Sequence, residues 1–192
     1  TANLLVLAER LDLRQHGFGS FNVWHYPGDD INAIYRRQNQ AHDFSDPWLF
    51  MSTPTLHTAA PGLCPPGEQL LEVVTSADYG HFKQLRDHDR RRYNQEKQRL
   101  RDHILQLVEQ RYVPELRRHL VLRVMGTPAT SERFCGAPQG NAYGSALTPK
   151  NVRTRVPYAT PLPNLWLVGA TAGHPSVGGT VMAGLELAAQ LR

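Results

Sequence analysis

The stretch 164–184, NLWLVGATAGHPSVGGTVMAG, passes from an apolar run through a glycine-rich turn into an apolar helix. Residues 164–168 are expected to form a strand that delivers the backbone to Gly169, which has no Cβ and so permits close approach of a ligand or another strand. Gly178 and Gly179 open the last helix, read over 178–191. There, free N–H groups and the positive end of the helix dipole face whatever lies in front, ideally a phosphate or a polarised carbonyl. Gly184 is expected to let that helix pack tightly on its neighbour. A plain strand–loop–helix, with glycines that only turn corners, remains open on these residues alone. No Gly-Lys-Ser/Thr follows the turn, and no GxGxxG occurs anywhere in the chain, so neither a Walker loop nor a dinucleotide fingerprint is encoded. A nucleotide cofactor docking here would need its main grip elsewhere.

Working outward, LLVLA at 4–8 reads equally as a buried strand or a helix end. SFNVWHY at 20–26 alternates Phe21, Val23 and His25 against Asn22, Trp24 and Tyr26, a strand pattern. Pro27-Gly28-Asp29-Asp30 supplies a turn and an N-cap for a helix whose apolar face is Ile31, Ile34 and Tyr35. A short strand over 47–55 is stopped by Pro54, the prolines of 59–67 forbid regular structure, and 68–78 is a strand again. The longest helix is expected from Arg91 to Tyr112, with Leu100, Ile104, Leu107 and Val108 forming its apolar stripe. LVLRVMGTP at 120–128 reads as a strand that hands over to a helix with Thr127 as N-cap and Pro128 at the first helical position. Residues 136–163 read as loop. Strands and helices mix without a βαβ rhythm, so the expected class is α+β, with a mixed sheet and packed helices. The expected division is a sheet-and-helix portion, 1–125, followed by a carboxyl-terminal segment, 126–192.

The chain of 192 residues has 41% hydrophobic and 20% charged residues, ordinary for a globular protein. Its +4 charge is local, because residues 83–119 hold 11 Lys/Arg against 6 Asp/Glu. No uncharged apolar run is long enough to span a membrane. Thr1-Ala2-Asn3 shows neither an initiator Met nor a basic leader, so no signal peptide is expected, and a start in mid-pattern suits a piece of a longer chain. Cys64 and Cys135 belong to no ligand spacing and are expected as free thiols. The nine histidines form no HxH or HExxH, so no metal site is expected.

Two blocks carry a family resemblance. Residues 160–191, TPLPNLWLVGATAGHPSVGGTVMAGLELAAQL, resemble the carboxyl end of the phytoene desaturase, carotenoid isomerase and retinol saturase family of FAD-dependent oxidoreductases. Pro163 to Gly169 match its closing strand, and Gly179 to Gly184 its glycine-rich helix start. GTPATSERFCGAPQGNAYG at 126–144 is similar to a second family segment through Thr127, Pro128, Thr130, Arg133, Phe134, Gly140, Tyr143 and Gly144. Over 1–119 the likeness rests on element order and on LFMSTPT. Met182, where many members carry Gly, and Gly178, where desaturases often carry Pro, lean toward the isomerase and saturase branch.

The resemblance implies that an amino-terminal Rossmann unit, absent from this sequence, grips the ADP half of FAD. The turn then returns to cover the rest: Gly169 and Ala170 would approach the pyrophosphate or ribityl chain, and Gly178, Gly179, Thr180 and Val181 would face the flavin. No catalytic residue is assigned; Arg133 and Tyr143 read as structural. The implied activity is desaturation, saturation or isomerisation of C–C bonds in an apolar polyene such as a carotenoid or retinoid. The expected setting is cytoplasmic; the basic helix 91–111 reads first as a solvated face, and second, through Arg91, Arg92, Arg99 and Arg101, as a strip for peripheral contact with anionic lipid head groups or for nucleic acid. The alternatives are a non-enzymatic module that binds an apolar ligand or a protein partner and, ranked last because its acids are interleaved with its bases, a nucleic-acid binder.

Overall fold

A computed structural model describes residues 1–146 and 148–191. Leu147, inside the stretch read as loop, and Arg192 lie outside the described residues. The contacts divide the chain into two units, Thr1–Gly140 and Asn141–Arg192. The break therefore falls after Gly140 rather than at 125/126. Thr127 and Ala129 are fully buried, and the helix they open packs on its neighbours within the first unit.

The first unit contains β1 (Ala2–Glu9), β2 (Val23–His25), α1 (Ile31–Asn39), β3 (Leu49–Ser52), α2 (Pro54–His57), β4 (Glu68–Thr75), α3 (Tyr79–His88), α4 (Arg90–Arg111), β5 (Leu120–Gly126) and α5 (Pro128–Cys135). Its five strands form one sheet in the order β2-β3-β4-β1-β5. The α+β class holds, but the sheet expected to be mixed is antiparallel throughout. LLVLA resolves as strand because it lies at the centre, flanked on both sides: Leu4 is opposite Val73 on β4 and Met125 on β5. One face of β1, made by Ala2, Leu4, Val6 and Ala8, is buried in the core. Phe82 and Leu85 of α3 and Tyr93, Leu100, Ile104 and Val108 of α4 belong to the same core.

Local signals explain the element starts. Asp30 caps α1 by accepting from the Ala33 amide at 2.8 Å. Thr127 caps α5 with Pro128 in its first turn, as expected, and Thr130 completes a reciprocal capping box. Two expectations need correcting here. Pro54 does not simply stop β3 but opens the one-turn α2. The strand read to residue 78 ends at Thr75, because the Asp78 carboxylate accepts from the His81 amide at 2.6 Å and starts α3. A buried amide ties α1 to the sheet: Gln38 donates to the Thr75 hydroxyl at 2.8 Å and accepts from the Trp48 amide at 3.0 Å. The α4 end is fastened by Arg111, bidentate to Asp46 at 2.7 and 3.0 Å, with His25 of β2 between Asp46 and the Tyr112 hydroxyl.

The second unit holds α6 (Pro149–Arg153), inside the stretch read as loop, and α7 (Val177–Gln190).

Candidate functional site

Within the second unit, the stretch 164–168 does not form a strand. It makes one isolated bridge, Ala159 with Trp166, next to a 2.8 Å bond from the Leu167 amide to the Tyr158 carbonyl. Strands are stabilised by ladder partners and cross-strand side chains, and among the described residues of this unit only that short piece offers any. Leu165, Trp166, Leu167 and Val168 are all left 38–51% exposed.

The glycines around the turn do different jobs. Gly169 has φ +135°, a conformation that other residues rarely adopt, while the space beside its Cα is open. Ala170 lines a small cavity of about 130 Å³ with Thr171, Gly173 and Arg155. Helix α7 begins at Val177, one residue earlier than read, with Ser176 as its cap. The Ser176 hydroxyl accepts from the Gly179 amide at 3.1 Å, and its carbonyl from the Thr180 amide at 3.0 Å. The amides at the very start, Val177 and Gly178, precede that capped pair; helix geometry leaves such groups without an intrahelical partner. Val181 lies further along the helix with its side chain exposed. The expected tight packing by Gly184 is absent, since a methyl there would meet open space. That role belongs to Gly173, where a Cβ would come within 2.5 Å of the Ala183 side chain, and to Gly179, where it would lie 2.6 Å from the His174 carbonyl oxygen.

A polar group not singled out from sequence flanks this turn. Arg155 lies 2.7 Å from His174 Nδ1, and the Tyr158 hydroxyl donates to Glu186 at 2.6 Å. The Glu186 bond and burial push the Tyr158 phenol above its ordinary value. His174 sits inside the opening stretch, but its partners lie 12 to 19 residues away, where no short motif could show them. In the second family block, Arg133 stacks over the Phe134 ring rather than pairing with Glu132, whose carboxylate is held by Tyr79 at 2.5 Å and by Arg86 at 3.3 Å. Tyr143 is exposed.

In the first unit, the sheet face turned away from α3 and α4 is apolar where an antiparallel sheet with one wet face would read polar. Trp24, Phe50 and Val74 stand side by side across β2, β3 and β4, and Leu5 and Val124 across β1 and β5. Leu70, Leu7 and Leu122 form a further row; Asn3, Gly126, Ser52 and Glu72 interrupt the strip, and Glu68 and Glu9 border it. Leu5, Val124 and Trp24 are 38%, 51% and 55% exposed, and the Trp24 ring stacks parallel to Tyr26 at 6.0 Å. Contiguous exposed apolar surface is where soluble proteins commonly meet a ligand or partner.

The chain is similar to all-trans-retinol 13,14-reductase of Danio rerio, with 27% identity over 169 residues, 80% of this chain and 27% of that protein. It is also similar to the chloroplastic prolycopene isomerase of Daucus carota, 28% over 123 residues, 63% of this chain and 19% of that one. Prolycopene isomerase 2 of an Oncidium hybrid cultivar matches at 29% over 96 residues, 50% and 15%. No protein-family model matches the chain. The relatives bear out the resemblance read from the two motif blocks: the chain is related to the carotenoid desaturase, carotenoid isomerase and retinol saturase family. It spans about a quarter or less of the length of these curated relatives. No helix among the described residues is long and apolar enough to cross a membrane.

Proposed function

We propose that this chain supplies the substrate-facing sheet and the cofactor-capping turn of an FAD-dependent oxidoreductase or isomerase acting on C–C bonds of an apolar polyene, carotenoid or retinoid in kind. The observation that carries the reading is the partly exposed apolar face of the sheet, with Leu5, Leu122, Val124 and Trp24 open to solvent. Five strands at about 4.8 Å spacing make a wall roughly 19 Å across, suited to an extended hydrocarbon that offers no hydrogen bonds. Such a wall binds by area alone, positions the polyene and keeps water from it.

The residues of the turn fit a flavin nucleotide. The Val177 and Gly178 amides at the positive end of α7 suit a diphosphate or an electron-rich ring edge. Open space beside Gly169 and Gly178 leaves room for close approach. The cavity of about 130 Å³ beside Ala170 is below the roughly 300 Å³ that ligand pockets need, so the remaining walls and the ADP grip must come from residues beyond this stretch. Bound flavin would supply hydride or electron exchange with the polyene. This chain's own part is to orient the chain-like substrate and to place amide donors where negative charge develops. Held by a single bridge, the 165–168 run is suited to completing a sheet that those other residues would bring.

Trp24 provides the test. Titration of the chain with all-trans-retinol should quench tryptophan emission, and Trp24→Phe should remove most of the quenching. Leu5→Asp or Val124→Asp should weaken binding about ten-fold or more, because burying a carboxylate against hydrocarbon costs at least ~1.4 kcal/mol. Equal quenching in the Asp variants would sink the polyene reading. For the cofactor, the full-length natural product should purify with a flavin spectrum, and Gly178→Asp should lower flavin content per mole; a full-length protein free of flavin would refute it.

A further inference from the structure

On the helical side of the first unit lies a cavity of about 510 Å³, away from the apolar sheet face and within the size range of small-molecule sites. Three segments build it. Helix α4 contributes Glu96, Arg99, Leu100 and His103, spaced i, i+3, i+4 and i+7 and therefore on one face. Helix α3 contributes His81 and Phe82 from its first turn. The loop after α1 contributes His42, held at φ +52°, a left-handed conformation that costs free energy and persists only where the surroundings enforce it. The loop is pinned where His103 Nε2 lies 3.2 Å from the Ser45 carbonyl and where the Asp43 carboxylate accepts from the Ser45 amide at 2.8 Å.

The imidazoles of His42 and His81 are stacked, with centroids 4.3 Å apart and planes at 26°, and the Phe82 ring meets His81 edge-on at 5.3 Å. Phe82 and Leu100 are buried and form an apolar floor. Burial first, and His42 second, hold His81 below the ordinary imidazole range. The charged groups around the pair are Asp78 from the α3 cap, Arg92, Glu96 and Arg99 from α4, His103, and Asp43 from the loop. Asp78 accepts from the His81 amide and Asp43 from the Ser45 amide, and Glu96 lies 3.7 Å from the exposed Arg99. Glu96 and Asp78 favour a proton on His81, but burial and His42 outweigh them, so an added anion in the cavity would favour that proton. Among the described residues no group of three or more His, Cys, Asp or Glu is placed to hold a metal ion. The space is too large for a lone inorganic anion, and its floor is apolar.

We infer that this cavity binds a small planar organic carboxylate, whose charge is met by a proton on the His42–His81 pair and by Arg99 at the mouth, and whose flat body lies on Phe82 and Leu100. Binding is then linked to proton uptake, since the anion favours the charged imidazole.

Calorimetric titration of the full chain with benzoate at pH 6 and pH 8, each in two buffers of different ionisation enthalpy, tests this. Benzoate should bind at pH 6 with net proton uptake and ten-fold or more weakly at pH 8, while benzamide, neutral and of the same shape, should not bind. His42→Ala should weaken benzoate about ten-fold at pH 6. Arg99→Gln, whose side chain is 78% exposed and carries no fold contact of weight, should weaken it several-fold while keeping the proton uptake. Equal binding of benzoate and benzamide, affinity independent of pH, or no benzoate binding at pH 6 would each overturn the assignment.

Discussion

The two glycines that open α7 should respond to the same methyl group with opposite signs. At Gly178 an added Cβ meets nothing within 4 Å, and the backbone is ordinary helix. Alanine there removes freedom from the unfolded chain and favours the helix, a gain of about 0.4–1 kcal/mol. At Gly179 the same Cβ would lie 2.6 Å from the His174 carbonyl oxygen and 2.8 Å from its carbon and Cβ. The obstruction is mostly backbone, so it cannot rotate away; either the turn shifts or the helix start unwinds, at about 1–3 kcal/mol. Since about 1.4 kcal/mol is ten-fold in an equilibrium constant, amide exchange along α7 should slow roughly two- to five-fold in Gly178→Ala. It should speed by about five- to 150-fold in Gly179→Ala. Amides of β1 and β4 serve as the internal reference in the full chain. A slowing, or no change, in Gly179→Ala would refute the packing of the turn on the helix start, and with it the placement of the Val177 and Gly178 amides.

Gln38→Leu keeps the buried volume but strands the Trp48 amide, and chemical denaturation should show a loss of about 1–3 kcal/mol. Thr127→Ala removes the capping box and the 2.9 Å contact to the Tyr93 hydroxyl; the unfolding midpoint should fall by the equivalent of about 1–2 kcal/mol. The Arg111 guanidinium first, then His25, hold the Asp46 carboxyl below its ordinary value. Because the folded carboxyl is the stronger acid, the stabilisation is complete above the usual carboxylate range and is lost as pH falls through the lowered value. Asp46→Asn should therefore be clearly less stable than the parent at pH 7, with the gap closing toward pH 3 in urea titrations; a constant gap would contradict the linkage.

Where the determinants are local, the fold is legible in sequence. Asp30, Thr127 and Pro128 mark helix starts because capping needs only neighbours, and the Leu100–Ile104–Leu107–Val108 stripe is its own evidence of a buried face. Helix α3 escapes notice because only Phe82 and Leu85 are buried along it, and its start depends on Asp78, which also extends a strand pattern. The 164–168 run shows the opposite failure. Its composition suits a strand, but a strand exists only with a partner, and within its own unit it finds a single bridge. The cofactor-facing glycines stand out for their type, yet which of them is sterically required depends on His174 and Ala183, which sequence spacing does not place. The histidine cavity was beyond reach altogether. His42, His81 and His103 are separated by dozens of residues and meet only because the loop after α1 folds against α3 and α4.

The position of β1 has a kinetic consequence. The first strand in the chain is an interior strand of the sheet, so Leu4 waits for Val73 on one side and Met125 on the other. Neither ladder can close until long loops have been brought together, and such distant pairings slow folding far more than they weaken the finished structure. During synthesis the apolar Ala2–Ala8 face stays unsheltered until α3 and α4 have emerged, and one edge of β1 stays unpaired until β5 follows. Between the making of that strand and its burial, an apolar face is open to aggregation.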